Sequence, residues 1–304
     1  MKRSMRARVR AYLEHRRALG FKLLVEGRML EAFGRFSDRR GHRGPLTKEV
    51  AVRWAALPRR SDRLYRARRL EVVRTFARHQ SALEPGTQIP PRHLFGPAHR
   101  RPHPRQFSPE EIEELMRRAT RLAGSLRPHT FRTLIGLLVC SGLRVSEALR
   151  LKVEDVDFAE RALTIRESKY RKTRLVPLHS TAVIPLQRYH DRRRRLFPLS
   201  ETFFVSEAGT PLPLRTADGT FARLREGIGQ DQRPPRLQDC RHHFTCQVLL
   251  RWQRSPQGVV HRVDILSRYL GHSHVTDTYW YLSALPQMMA HATRSFARYH
   301  DEDA

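Results

Sequence analysis

Apolar residues recur at helical spacing through the first eighty positions of the chain. Val9, Tyr12, Leu13 and Leu19, then Leu23, Leu24, Leu30, Phe33 and Phe36, predict two helices broken near Gly20. Thr47 to Leu57 predicts a short third helix, and Leu64, Leu70, Val73 and Phe76 mark a fourth. Arginines fill the faces between these positions. Pro85–Arg105 is rich in proline, histidine and arginine, and its prolines exclude a regular helix. Beyond it, Ser108-Pro109-Glu110-Glu111 forms a capping box with proline at the first helical position, so a helix should run from Pro109 to about Ala123. An apolar helix over Phe131–Ser141 follows, and another starts near Val145. Alternation in Ala162–Glu167 and Thr173–Leu178, around basic Ser168–Lys172, predicts a β-hairpin with a cationic tip. Helical patterns return at Ala182–Leu196, Thr216–Gly227, Asp239–Trp252, Val263–Leu270 and Gln287–Tyr299. No internal repeat interrupts this order.

Composition narrows the classes. Over 304 residues, 39% hydrophobic content supplies a core, and the length suggests two domains. The longest apolar runs, such as Leu134–Cys140, fall short of the ~20 residues of a membrane span. No secretory signal is expected, because no uninterrupted apolar stretch follows the basic N-terminus. Cys140, Cys240 and Cys246 form no CxxC pair, which fits a reducing, intracellular setting. The formal net charge is +28, which points to a polyanion as partner. An anionic membrane surface is the competing reading. A disordered basic tail fits poorly, because the basic residues sit inside periodic segments. The charge is uneven: the first 105 residues carry 27 Lys and Arg against 8 Asp and Glu, net +19, and the remainder carries +9. The chain is therefore read as a small helical DNA-binding domain over 1–84, a basic linker over 85–106 and a second domain over 107–304. For the arginine faces, a merely solubilising surface is the alternative.

Four segments hold polar residues where pattern alone would not place them. Ser141 to Leu149 (SGLRVSEAL) delivers Arg144 from a glycine turn to the start of a helix. Lys169 stands at the hairpin tip. Gln238 to Phe244 (QDCRHHF) carries Arg241, and Leu270 to Tyr281 (LGHSHVTDTYWY) carries His272 and two tyrosines. Each has a bland explanation: a surface ion pair, a solvated lysine, a helix cap, core aromatics. Together, two arginines, a lysine and a histidine have the chemistry to neutralise a phosphate under attack by a tyrosine. Phosphoryl transfer asks mainly for positioning and positive charge. Tyrosine, with an ordinary pKa near 10, would need cations and a proton acceptor beside it.

In order and spacing these segments resemble the tyrosine recombinase (phage integrase) family. SGLRVSEAL resembles its first arginine box, which assigns Arg144. ESKYRKTRLVPL resembles its hairpin and assigns the catalytic lysine to Lys169. CRHHF resembles the second arginine box and assigns Arg241. LGHSHVTDTYWY resembles the last box and assigns His272, with Tyr281 as nucleophile nine residues later. Tyr279 is the competing tyrosine, and the spacing from His272 favours Tyr281. The family's second box usually opens on histidine; here that position is Gln238. Glutamine can hydrogen-bond a phosphate but cannot accept a proton near pH 7. His242 and His243 lie beside it and point about 100° apart on a helix; one of them is expected to help structurally, the alternative being that it substitutes for the missing base.

The resemblance implies a mainly α fold with a small β-hairpin sheet, a helical N-terminal core-binding domain plus an α+β catalytic domain. It implies a site-specific DNA recombinase that cuts and rejoins double-stranded DNA through a 3′-phosphotyrosyl link, with no metal, cofactor or ATP. His272-x-His274 has no second ligand pair at zinc-like spacing. A homo-tetramer on paired DNA sites is implied, with the amphipathic Pro286–Tyr299 docking on a neighbouring protomer or packing in cis, and with partner recombinases as an option. The expected setting is the bacterial cytoplasm, at the nucleoid, on a mobile element, and without membrane association. The alternatives are a catalytically impaired relative that binds DNA as an accessory protein, and a type IB topoisomerase-like nicking enzyme.

Overall fold

The computed structural model describes residues 4–57, 62–99, 103–166, 173–229, 233–255, 259 and 262–284. The chain divides into two compact units, Met1–Pro102 and His103–Ala304. The first is a four-helix unit: α1 (Met5–Ala18), α2 (Leu24–Arg39), α3 (Lys48–Ala56) and α4 (Arg63–Ser81). Its core is Phe33, Trp54, Val73, Phe76 and Ala77, all at or near zero exposure. Asp38 reaches across to cap α1, accepting from Met5 N at 2.9 Å and Arg6 N at 3.2 Å. Residues 85–99 form turns without helix and lie against this unit. Gln88 N donates to Leu46 O at 2.8 Å, and Arg63 Nε to Phe95 O at 2.9 Å.

The second unit opens with α5 (Pro109–Ala119), held by the predicted capping box of Ser108 and Glu111. At its centre is α6 (Arg127–Ser141), whose Phe131, Leu134, Ile135 and Leu138 are buried. An all-round apolar helix needs neighbours on every side, and α5, α8 and α10 supply them. The N-terminus of α6 lacks a local cap. Glu207, eighty residues further on, takes that place: its carboxylate accepts from Leu126 N at 2.8 Å, from Arg127 N, and from Ser125 N and Oγ at 3.2 Å. After α6 come one helical turn, α7 (Val145–Ala148), and strands β1 (Val156–Asp157), β2 (Ala162–Ile165) and β3 (Arg174–Pro177) in an antiparallel sheet of order β1-β2-β3. The remaining helices are α8 (Ser180–Leu196), α9 (Leu214–Leu224), α10 (Leu237–Gln253), α11 (Val263–Leu270) and α12 (Thr276–Ala284).

The mainly α architecture with one small sheet matches the expectation. Three details depart from it. Helix α5 stops at Ala119 rather than near Ala123. Strand β1 is too short, at two residues, to show an alternation. Helix α12 was not predicted, because Thr278, Tyr279, Trp280 and Tyr281 are poor helix formers. Its helix is held by packing: Tyr281 joins Cys246, Leu249, Val263, Leu266 and Leu270 in a second, smaller core. The hairpin tip Ser168–Lys172 and the helix expected over Gln287–Tyr299 lie outside the described residues.

Gly142 closes α6 in the left-handed region at φ +63°, and a Cβ there would stand 2.4 Å from the Phe244 ring. Backbone strain and overpacking therefore coincide at one atom. Gly142→Ala should lower unfolding stability by about 3 kcal/mol, read as a lower urea midpoint at unchanged slope.

Candidate active site

The turn at Gly142 sets Arg144 at the N-cap of α7. One guanidinium nitrogen donates to Glu147 Oε1 at 2.7 Å and the other to Gly271 O at 2.8 Å. Glu147 is the third residue of the same turn, and its carboxylate also accepts from Arg144 N at 3.0 Å. From the far side, Arg174 on β3 donates to both carboxylate oxygens, at 3.2 and 2.9 Å, while its Nε donates to Tyr269 O at 2.8 Å. The Glu147 side chain is 1% exposed. Burial by itself would raise its pKa, but the hydrogen bonds and charges of Arg174 and Arg144 outweigh burial and hold it at about 2. One ionised carboxylate thus orders two guanidiniums.

Arg241, on α10, is almost wholly buried and reaches no carboxylate among the described residues. It donates to Gly142 O at 2.9 Å and to Leu270 O at 2.7 Å. Burial first, then the charge of Arg144, lower its pKa to about 10, which leaves it cationic at neutral pH. Arg144 and Arg241 therefore hold consecutive carbonyls, Gly271 and Leu270, in the turn that ends α11. His272 follows immediately. Its Nδ1 lies 2.7 Å from Oγ1 of Thr278, a fully buried residue of α12. Burial, then the charges of Arg241 and Arg144, push this imidazole down to about 3, so it is neutral.

On α12, the two tyrosines separate clearly. Tyr279 is 44% exposed, whereas Tyr281 is 4% exposed and places its hydroxyl 2.7 Å from His242 Nδ1. Three successive residues of α10 point three ways. Arg241 faces the 270–271 turn, His242 faces Tyr281, and His243 turns to the segment that precedes α5, where Nδ1 accepts from Phe107 N at 3.2 Å. His243 is the structural histidine, packed edge-on against Phe107. Gln238 lies one helical turn before Arg241 and is half-buried. Cys240 and Cys246 flank this stretch, both at zero exposure. Lys169 is outside the described residues.

The structure thus brings Arg144, Arg241, His272 and the helix bearing Tyr281 to one turn. Sequence reasoning missed Glu147, Arg174 and Thr278. Glu147 carried a signal, an acid three residues after an N-cap arginine. Arg174 carried none, because a strand arginine is ordinarily solvated. Among the described residues, no group of three His, Cys, Asp or Glu side chains is placed to hold a metal ion, and no helix is long and apolar enough to cross a membrane.

Comparison with known proteins identifies the family. A model of the phage integrase family matches residues 105–288. The y4rB protein of Sinorhizobium fredii, named as an integrase/recombinase, is 40% identical over 97% of this chain and 98% of its own length. The tyrosine recombinase XerC of Leptospira interrogans is 28% identical over 73% of this chain and 68% of its own. In fold, the chain is similar to the Tn1549 transposon integrase bound to transposon right end DNA, with a TM-score of 0.71 at 15% identity, covering 97% of this chain and 100% of that one.

The Glu147 carboxylate gives the site an acid-labile component. Its folded pKa of about 2 lies below the ordinary ~4.3, so its contribution is fully present above that value and is lost as pH falls through about 2. The displacement corresponds to roughly 3 kcal/mol. Urea titrations at pH 5, 4 and 3 should show wild type losing more stability than Glu147→Gln, which starts lower because two guanidiniums lose their carboxylate.

Proposed function

This chain belongs to the phage integrase family, and from that premise we propose that it is a site-specific DNA recombinase acting through Tyr281 on double-stranded DNA. The carrying observation is the convergence of Arg144 and Arg241 on the 270–271 turn, from which His272 and the Tyr281 helix follow. Arg241, held by two carbonyls, keeps its charge, and both guanidiniums keep donors for a third ligand. A scissile phosphate, with two non-bridging oxygens, is the matching anion. Tyr281 attacks the phosphorus and the 5′-oxygen departs, leaving a 3′-phosphotyrosyl bond. Arg144 and Arg241 clamp the non-bridging oxygens, and neutral His272 donates a hydrogen bond to one of them. Gln238 adds a further donor from its amide, and Lys169 protonates the departing oxygen. The covalent link conserves the phosphodiester energy, so rejoining a new 5′-hydroxyl consumes no ATP.

The first unit supplies much of the net charge and contributes phosphate contacts of its own. The Tn1549 integrase was captured on transposon end DNA, which supports assignment to a mobile element. Assembly as a tetramer on two paired sites, through the C-terminal segment, completes the reading. A second reading rests on Gln238: without histidine at this position the chain acts as a DNA-binding accessory protein.

Covalent trapping separates the two. The protein is expressed beside its flanking DNA, lysed in denaturant, and the DNA still attached is sequenced. Adducts at a discrete site, lost in Tyr281→Phe and retained in Tyr279→Phe, are expected. Tight binding with no wild-type adduct would establish the accessory reading. Affinity should also fall linearly in log–log form with salt, at a slope of about −0.9 per phosphate contacted. Deleting residues 1–105 should flatten that slope.

A further inference from the structure

We propose that His242 is the proton acceptor for Tyr281, a catalytic residue that takes over the task Gln238 cannot perform. The inference rests on the recombinase reading above. The two side chains are already engaged: His242 Nδ1 lies 2.7 Å from Tyr281 Oη, with ring centroids 5.7 Å apart. Trp280 stands edge-on to the imidazole at 6.1 Å and to the Tyr281 ring at 4.9 Å, so the pair is fixed from a third side. In the Nε2–H tautomer, Nδ1 is the acceptor and the tyrosine hydroxyl the donor.

The placement suits the chemistry. His242 follows Arg241 on one helix, so the proton acceptor and a phosphate-binding cation are fixed by the same backbone. His272, the other histidine of the site, is turned to Thr278. His243 is committed to Phe107 N. The charged groups facing His242 are Asp239, Arg236, Arg233 and Arg241, with Tyr281 across from α12. Asp239 is itself held by Arg233 at 2.8 and 2.7 Å. Burial is the largest influence and lowers the imidazole to about 4, which keeps Nδ1 unprotonated at neutral pH.

In the resting site the proton stays on the tyrosine oxygen. A DNA phosphate adds negative charge beside the imidazole and raises its proton affinity, while the arginines stabilise the developing phenolate. The Tyr281 O–H bond then breaks with transfer to Nδ1 as the O–P bond forms and the bond from phosphorus to the 5′-oxygen breaks. During rejoining the incoming 5′-hydroxyl returns its proton to the general acid that protonated it on cleavage and displaces the tyrosine oxygen, which recovers its own proton from His242. No water or external base enters.

The test uses the full chain and a nicked duplex containing the site recovered by trapping, with wild type, Tyr281→Phe, His242→Ala and His242→Asn. Asn offers an oxygen acceptor near the Nδ1 position but no base. Both His242 variants should bind the duplex within about threefold of wild type and form adduct 10²–10⁴-fold more slowly. Added imidazole should restore part of the rate in His242→Ala, and the variants' rate should climb with pH where wild type is flat. Adduct formation by His242→Ala at or above the wild-type rate would overturn the proposal and make the contact a restraint on the nucleophile. Full activity in His242→Asn would overturn it in favour of simple positioning. If His242→Ala fails to fold, as judged by its melting curve, the Asn variant alone decides. Absence of adduct from wild type would defeat the recombinase reading itself, and this proposal with it.

Discussion

A single carboxylate organises the catalytic unit. Glu147 sits between Arg144 and Arg174, and through them it joins three segments far apart in sequence: the α7 turn, strand β3 and the end of α11. Two guanidiniums brought this close repel each other, and neither would keep its position without a negative charge between them. The carboxylate in turn would be costly to bury without both partners. Each member makes the others affordable in the interior, so the group is present as a whole or not at all. Arg174 also ties the start of β3 to the turn at the end of α11, through Tyr269 O.

The basic composition is used in two ways. Exposed arginines contribute to the field around the molecule, while buried ones are satisfied largely by backbone carbonyls. Arg241 holds Gly142 O and Leu270 O, Arg193 holds Thr202 O, and half-buried Arg69 holds Trp54 O. A carbonyl satisfies the donors of a guanidinium without cancelling its charge. Arg241 is thereby rigid with its charge uncompensated at close range, which a second carboxylate would have prevented.

Most of the helical framework was legible in the chain because the apolar stripe of a surface helix repeats in the sequence itself. The first four helices, the α5 cap and α11 were found where periodicity put them. Individual site residues were legible for another reason: Arg144, Arg241, His272 and Tyr281 lie in segments whose polar residues break the local pattern. What escaped depends on partners distant in sequence. Arg174 reads as an ordinary strand arginine until Glu147 is opposite it. Helix α12 reads as an aromatic cluster until α10 and α11 cover it, and the cap on α6 comes from Glu207, which no local rule connects to Ser125. The two adjacent histidines were visible, but only the orientation of α10 assigns His243 to Phe107 and His242 to Tyr281.

The burial of Cys240 and Cys246 has a practical consequence. These thiols bracket Arg241, His242 and His243 on α10, have no exposed surface, and are pushed up to about 12 mainly by burial. Thiolate is the form that reacts with alkylating agents and oxidants, so in the native state both sulfurs are inert. Cys140 is the exposed one, although burial around its sulfur raises the thiol to about 11 and slows its ionisation. The chain therefore carries its own reporter: Cys140 labels slowly in the folded state, and labelling of Cys240 and Cys246 times the opening of α10.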